Sequence, residues 1–337
     1  MTGERAALDP VLANDWHPVA AAKALQPGAI AAVKLLGQEL AVWRDSMGAV
    51  HAWEDRCPHR GTRFSIGSVE DDQLVCAYHA WRFVAGGRCI QIPAQPDRTP
   101  PSRACARVFQ VREAYGLIWV CLGVPTGDVP PFPEYDDPNL RTVLCGPYTV
   151  RTSAPRVLEN YVDLAHFPYV HPAILGDDAH AGVADHRVSA SDDGAGGRGL
   201  LASGCKVWQP QTNSVAEQGS LVEYGFRILR PLTAILVKEP EAQEGFREAI
   251  SLHVQPVEET LSIAWVIMAV TNFEQSDEQL RAFEETIFMQ DVPILENQVP
   301  PRLPLNPAAE LPVACDRLSV AYRRYLKDLG LAYGVTY

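Results

Sequence analysis

The sequence predicts an α+β chain of two domains: a small all-β unit over residues 1–145, and an antiparallel-sheet-and-helix unit over residues 146–337. Three observations predict it. At about 150 residues per domain, 337 residues make two domains, each large enough to bury its own core. Short β-rich runs broken by turns fill the first part, whereas helical spacing of apolar residues returns near the C-terminus. Between them Pro125, Pro130, Pro131, Pro133 and Pro138 form a connector that resists both helix and central strand.

The elements follow in order. Residues 32–36, 39–43, 74–75 and 116–120 read as strands, and Gly86-Gly87 reads as a hairpin turn because both glycines accept positive φ. Past Pro155 a helix is expected over 156–167, then strands at roughly 200–208, 220–229, 249–256 and 261–270, then two helices. Ser276 with Gln279 three residues later makes a capping box, followed by Leu280, Phe283 and Ile287 at helical spacing. The last helix lines Leu318, Ala321, Tyr322, Tyr325, Leu326 and Leu329 on one face, for core or subunit contact, and ends at Gly330.

Composition excludes several function classes. A net charge of −12 without a long basic run argues against nucleic acid or an anionic membrane as partner. No apolar stretch approaches ~18 residues, and Met1-Thr2-Gly3-Glu4-Arg5 is not followed by a signal-peptide core, so a cytoplasmic protein is expected. Of eight cysteines, Cys89, Cys105, Cys121, Cys145, Cys205 and Cys315 have no framework spacing and are expected as buried free thiols.

The other two cysteines carry chemistry. Cys57-Pro58-His59-Arg60-Gly61 and Cys76-Ala77-Tyr78-His79 each offer one thiolate and one imidazole. Together they supply the two Cys and two His of a [2Fe–2S] cluster in which His₂ replaces Cys₂ on one iron, a Rieske centre. A structural zinc is the competing reading, since Cys₂His₂ is also a tetrahedral zinc set. Zinc fingers usually pair Cys with Cys and His with His, whereas both loops here are mixed, as capture of two irons from two loops requires. Gly61 permits a tight turn, and Trp81, at the end of the second loop, is placed to shield a cluster from water.

A second constellation lies at 160–171. Asn160, Asp163 and His166 recur every three residues, which places them along one side of a helix, and His171 follows Pro168, where that helix ends. Two His and one carboxylate on one octahedral face, with open positions, define a non-haem Fe(II) oxygenase site. For the carboxylate the late helix offers Glu284, Glu285, Asp291 and Glu296. Asp291 is favoured because Pro293 should distort the helix beside it and free a short side chain to reach a metal.

On these residues the chain resembles the oxygenase components of Rieske non-haem iron oxygenases. The resemblance runs in order over nearly the whole chain and includes Trp16-His17-Pro18-Val19, Tyr115-Gly116-Leu117-Ile118-Trp119-Val120, Gln290-Asp291-Val292-Pro293-Ile294-Leu295-Glu296 and Tyr322-Arg323-Arg324-Tyr325-Leu326. It is similar to the compact monooxygenase branch, which includes methylxanthine N-demethylases, vanillate and dicamba O-demethylases and toluenesulfonate methyl hydroxylases. Ala80 departs from the Gly common after the second cluster His, which bears on the local backbone angle and not on the ligands.

The resemblance implies a Rieske domain followed by a helix-grip-like catalytic domain. It implies Cys57, His59, Cys76 and His79 as cluster ligands, and His166, His171 and Asp291 as ligands of a mononuclear Fe(II). Asp163 is implied as a catalytic-site residue that is not a ligand, bridging His166 to His79 of a neighbouring subunit in a head-to-tail homotrimer. Asn160 is implied close to the iron, with helix capping as its alternative. Electrons come from a separate flavin or ferredoxin reductase, since the chain has no plant-type ferredoxin spacing and no credible nucleotide site. Dioxygen is then used to hydroxylate a C–H bond of a small aromatic or heterocyclic substrate. Hydroxylating an N- or O-methyl group releases formaldehyde, so hydroxylation and demethylation are one chemistry.

Two other classes stay open at this level: a non-catalytic Rieske electron-transfer protein, and a zinc-stapled binding protein. Gly194-Ala195-Gly196-Gly197-Arg198-Gly199 fits G-x-G-x-x-G, but without a strand before or a helix after it reads as a turn. His253 reads as a strand residue, and His17, His51, His180 and His186 have no partner spacing.

Overall fold

A computed structural model describes residues 8–192, 198–213, 216, 218–242 and 245–337. They form two compact units that divide between Pro125 and Thr126. That division precedes the 145/146 boundary read from the sequence because strand β11 (Arg141–Val150) hydrogen-bonds along its length to a strand of the second unit. The glycine-rich stretch at 194–199 falls mostly outside the described residues. Among the described residues no helix is long and apolar enough to cross a membrane.

The first unit opens with the turn α1 (Pro10–Ala13), whose amides are capped by Asp9. Its strands are β1 (His17–Ala21), β2 (Ile30–Leu35), β3 (Gln38–Arg44), β4 (Val50–Glu54), β5 (Ser68–Glu70), β6 (Gln73–Val75), β7 (Arg82–Phe83), β8 (Cys89–Gln91), β9 (Val108–Ala114) and β10 (Leu117–Cys121). They make a six-stranded sheet, β1-β10-β9-β4-β3-β2, and a four-stranded one, β5-β6-β7-β8. Trp43, Trp53, Phe64 and Phe83 are fully buried and meet edge to face, with successive ring centroids 5.3, 5.4 and 5.1 Å apart. Cys57 and Cys76 belong to the same buried cluster, so the loop bases are anchored in the core. Of the hairpin glycines only Gly87 has positive φ (81°); a Cβ there would also lie 2.5 Å from the Ala106 carbonyl oxygen.

In the second unit β11 is followed by α2 (Ala154–Tyr161), α3 (Phe167–Val170), β12 (Arg187–Asp192), β13 (Arg198–Gln209), β14 (Ser220–Arg230), β15 (Thr233–Pro240), β16 (Glu248–Glu258), β17 (Leu261–Val270), α4 (Asp277–Leu295) and α5 (Arg317–Leu329). The strands form one antiparallel sheet, β11-β17-β16-β15-β14-β13-β12. Helix α2 packs on β16 and β17 and α4 on β11, and β16 is buried to its penultimate residue. The capping box at Ser276 and Gln279 is formed, and α5 ends at Gly330 in the left-handed conformation.

Three details differ from the sequence reading. Strands β11, β12 and β15 carry no strong alternation and were not among the expected strands. The expected helix over 156–167 is two helices: α2 stops at Tyr161, so Asp163 and His166 stand in the turn between helices rather than on a helix face. The Asp163 carboxylate stabilises that turn by accepting from the Ala165 and His166 amides (3.1 and 3.2 Å), and Pro168 opens α3, where its missing N–H costs nothing. Helix α4 runs through Pro293 to Leu295, so Asp291 is displayed by the regular buried face and not by a break.

Candidate metal centres and substrate cavity

The two loops of the first unit are built alike. The Cys57 carbonyl accepts from the Gly61 amide and the Cys76 carbonyl from the Ala80 amide, each at 2.9 Å, and both fourth residues take positive φ, 75° and 52°. Both thiols are buried, 1% and 3% exposed, and hydrogen-bond to each other. His59 and His79 lie further out, half-buried, with ring centroids 4.5 Å apart. Trp81 stacks on His59 at 4.3 Å and 9°, and the exposed Tyr78 leans on His79. A buried thiol pair beneath an outer imidazole pair fits a [2Fe–2S] cluster with one iron per pair. Of the six remaining cysteines Cys89, Cys121, Cys145 and Cys205 are buried as expected; Cys105 is exposed and Cys315 half-buried, and all are free.

The second site is built from the turn after α2, the end of α3 and the inner face of α4. Leu280, Glu284, Phe288, Asp291 and Leu295 form the buried stripe of α4, at helical spacing. Asp291 Oδ1 lies 3.4 Å from His166 Nε2 and 3.3 Å from His171 Nε2, and the two nitrogens are 3.2 Å apart. Neighbouring ligands about 2.1 Å from an octahedral ion lie about 3.0 Å apart, so this near-equilateral triangle has the size of one octahedral face. Among the described residues it is the group of His, Cys, Asp and Glu whose donor atoms converge in this way. Of the other acids weighed, Glu284 is on the same face two turns earlier, Glu285 is exposed, and Glu296 accepts from the Arg151 amide.

Each imidazole is oriented through its far nitrogen. His166 Nδ1 lies 2.8 Å from Asp163 Oδ2, and His171 Nδ1 lies 2.8 Å from Gln290 Oε1. Both partners accept, so each Nδ1 donates its proton and each Nε2 is left to face the triangle. Asn160 Nδ2 donates to Asp291 Oδ1 at 3.3 Å. Burial opposes charge on His166, but its bonds to Asp163 and Asp291 outweigh burial and lift the imidazole to about 9. Burial likewise opposes charge on Asp291, yet bonds from His166 and His171 draw it down to about 2. The carboxylate is thus held ionised against positive neighbours, the setting a divalent metal ion would complete.

A cavity opens on this triangle. Leu236, Ile250, Leu252, Met268, Phe167 and Phe288 make it largely apolar; Lys238, Glu248, Glu284, Tyr161 and Tyr224 add polar groups. Gln290, Lys238 and Glu248 escaped the sequence reading. Adjacency to Asp291 was the signal for the first, and a charge inside an apolar strand was the signal for the others. His253 is a buried strand residue outside this lining, hydrogen-bonded with Ser251 and Thr233.

Comparison with known proteins gives the family of each domain. Residues 15–111 match the Rieske [2Fe-2S] domain, and residues 150–332 match the vanillate O-demethylase oxygenase C-terminal domain. The probable methylxanthine N7-demethylase NdmC of Pseudomonas sp. (strain TJI-51) is 41% identical over 228 residues, 67% of this chain and 79% of that one. The methylxanthine N1-demethylase NdmA of Pseudomonas putida is 30% identical over 329 residues, 96% and 90% of the two chains. Its structure with caffeine superposes with a TM-score of 0.81 at 27% identity, covering 94% and 90%. A shorter stretch of 128 residues, 38% of this chain, is 44% identical to the oxidoreductase NdmD of Pseudomonas putida, of which it covers 21%. The match to an oxygenase domain beside the Rieske domain sets aside an isolated electron carrier and a zinc-stapled binder. This chain belongs to the Rieske non-haem iron oxygenases, as the oxygenase component of a monooxygenase of the demethylase branch.

Proposed function

We propose that this oxygenase demethylates a small N-methylated heterocycle by hydroxylating the methyl C–H bond, with electrons from a separate reductase. The observation that carries this reading is the largely apolar cavity that opens on the His166, His171 and Asp291 triangle. The similarity to proteins named as methylxanthine demethylases supports the substrate class. When bound, the [2Fe–2S] cluster supplies single electrons and the Fe(II) supplies dioxygen activation. Cys57, His59, Cys76 and His79 would hold the cluster; His166, His171 and Asp291 would hold the iron. Asp163 and Gln290 fix the two imidazoles so that both Nε2 lone pairs face the iron position. Asn160 holds the Asp291 carboxylate from the side. The apolar walls grip a ring and exclude water, so the methyl group meets the open side of the triangle. The hydroxymethyl product then loses formaldehyde, its hydroxyl proton passing to the nitrogen.

The same reading makes the chain a head-to-tail homotrimer. On the outer side of His166 a groove runs past Asp163 to Leu311, Pro312 and Val320. Leu311 is 91% exposed there, and the Asp163 side chain keeps 27% of its surface open after bonding His166. The cluster loop of another copy, with His79 at its tip, has the size and chemistry to fill it. Free cysteines fit a cytoplasmic setting.

The test is formaldehyde release with a reductase and NADH over N-methyl, O-methyl and unmethylated ring compounds. Release from an N-methyl heterocycle is expected. Asp291→Ala should lower turnover more than about a hundredfold with the cluster spectrum intact; unchanged product formation would remove Asp291 from the ligand set.

A further inference from the structure

Glu284 lies on the buried stripe of α4 seven residues before Asp291, two turns or about 10.5 Å along the axis. Its side chain enters the same cavity. The other polar groups on that wall have partners inside the protein. Lys238 binds Glu248 at 2.8 Å and the Thr212 carbonyl at 3.0 Å, Tyr161 donates to the Ile250 carbonyl at 2.6 Å, and Tyr224 accepts from Gln209 at 2.5 Å. Glu284 is the exception. It is 8% exposed, and among the described residues it makes no hydrogen bond and no ion pair. A carboxyl group taken from water without a partner costs several kcal/mol of solvation, so a fold that keeps one facing a cavity leaves that cost for a ligand to relieve. Since Lys238 and Glu248 neutralise each other, what the far end of the cavity offers a guest is an acceptor. Burial, opposed by Lys238 and reinforced by Glu248 and Asp291, lifts the Glu284 carboxyl to about 7, so a donor is what would hold it ionised.

We propose that Glu284 anchors the substrate by accepting a hydrogen bond from a nitrogen-borne proton at the end remote from the metal triangle. The preferred substrates are then N-methylated molecules that keep an N–H donor on the side of the molecule away from the reacting methyl group. This rests on the cavity being the substrate site. Neutral ring N–H groups and protonated amines share the required chemistry.

The test is isothermal titration of the holoprotein, without reductase and therefore without turnover. The probes are theobromine, which has a ring N–H, caffeine, which carries methyl in its place, and N-methylbenzylamine, a cation. Theobromine or N-methylbenzylamine should bind about tenfold or more tighter than caffeine, and Glu284→Leu should erase that preference. Glu284→Gln, which keeps a neutral acceptor of the same shape, should retain the preference if the favoured probe is theobromine and lose it if the favoured probe is the amine. Caffeine binding as tightly as the others, a preference that survives Glu284→Leu, or no binding of any probe would each overturn the proposal. Because binding is read without chemistry, those results leave the demethylase reading standing, and absence of formaldehyde release leaves the anchor standing.

Discussion

Ala80 is where a single residue type matters most. It holds φ 52° at the position of its loop that Gly61, with φ 75°, holds in the other. A Cβ in the left-handed region costs roughly 1 kcal/mol, a cost absent for glycine. Ala80→Gly is therefore expected to raise the unfolding free energy of the holoprotein by about 1 kcal/mol in denaturant titration, with the visible spectrum unchanged. A less stable variant would mean that the loop is relaxed with alanine. The departure from the family's glycine was legible in the sequence. Its conformational consequence needed the Ala80 amide to be seen closing onto the Cys76 carbonyl.

Elements decide where charge is tolerated. Strand β16 is buried on both faces, and His253 within it is 1% exposed, so burial lowers its imidazole to about 3. Below about pH 6.5 the unfolded chain takes up a proton that native His253 refuses, so this residue makes stability fall as pH drops from 6.5 towards 3. The unfolding free energy of His253→Gln should fall less over that range, measured by denaturation at several pH values; parallel profiles would place the acid sensitivity elsewhere. Alternation marked β16 in the sequence. It failed for β15, whose run over 234–237 is short, continuously apolar and gives no period. Helical spacing marked α4 and α5 for the same kind of reason. It misled over 156–167, because a three-residue recurrence is equally compatible with one helix or with two joined by an aspartate-stabilised turn.

At the scale of the whole molecule, the proposed trimer rests on the groove beside Asp163 and His166. A charge at the exposed Leu311 would have to be stripped of water if another copy fills that groove. Leu311→Glu is expected to convert a trimer to monomers in light scattering and to lower turnover about tenfold or more, with both iron contents unchanged. A monomeric wild type with full activity would dismiss the trimer.

What the amino-acid order determined by itself is the chemistry: mixed Cys/His loops in one domain, and two histidines with a late aspartate in the other. Donor types and local spacing are properties of short segments, and short segments are readable. Tertiary structure alone decided which late acid meets the histidines, that Gln290 orients His171, and that Glu284 faces an apolar cavity without a partner among the described residues. Those facts depend on contacts across more than a hundred residues of chain, and no local pattern encodes the distance between two segments that only the folded sheet brings together.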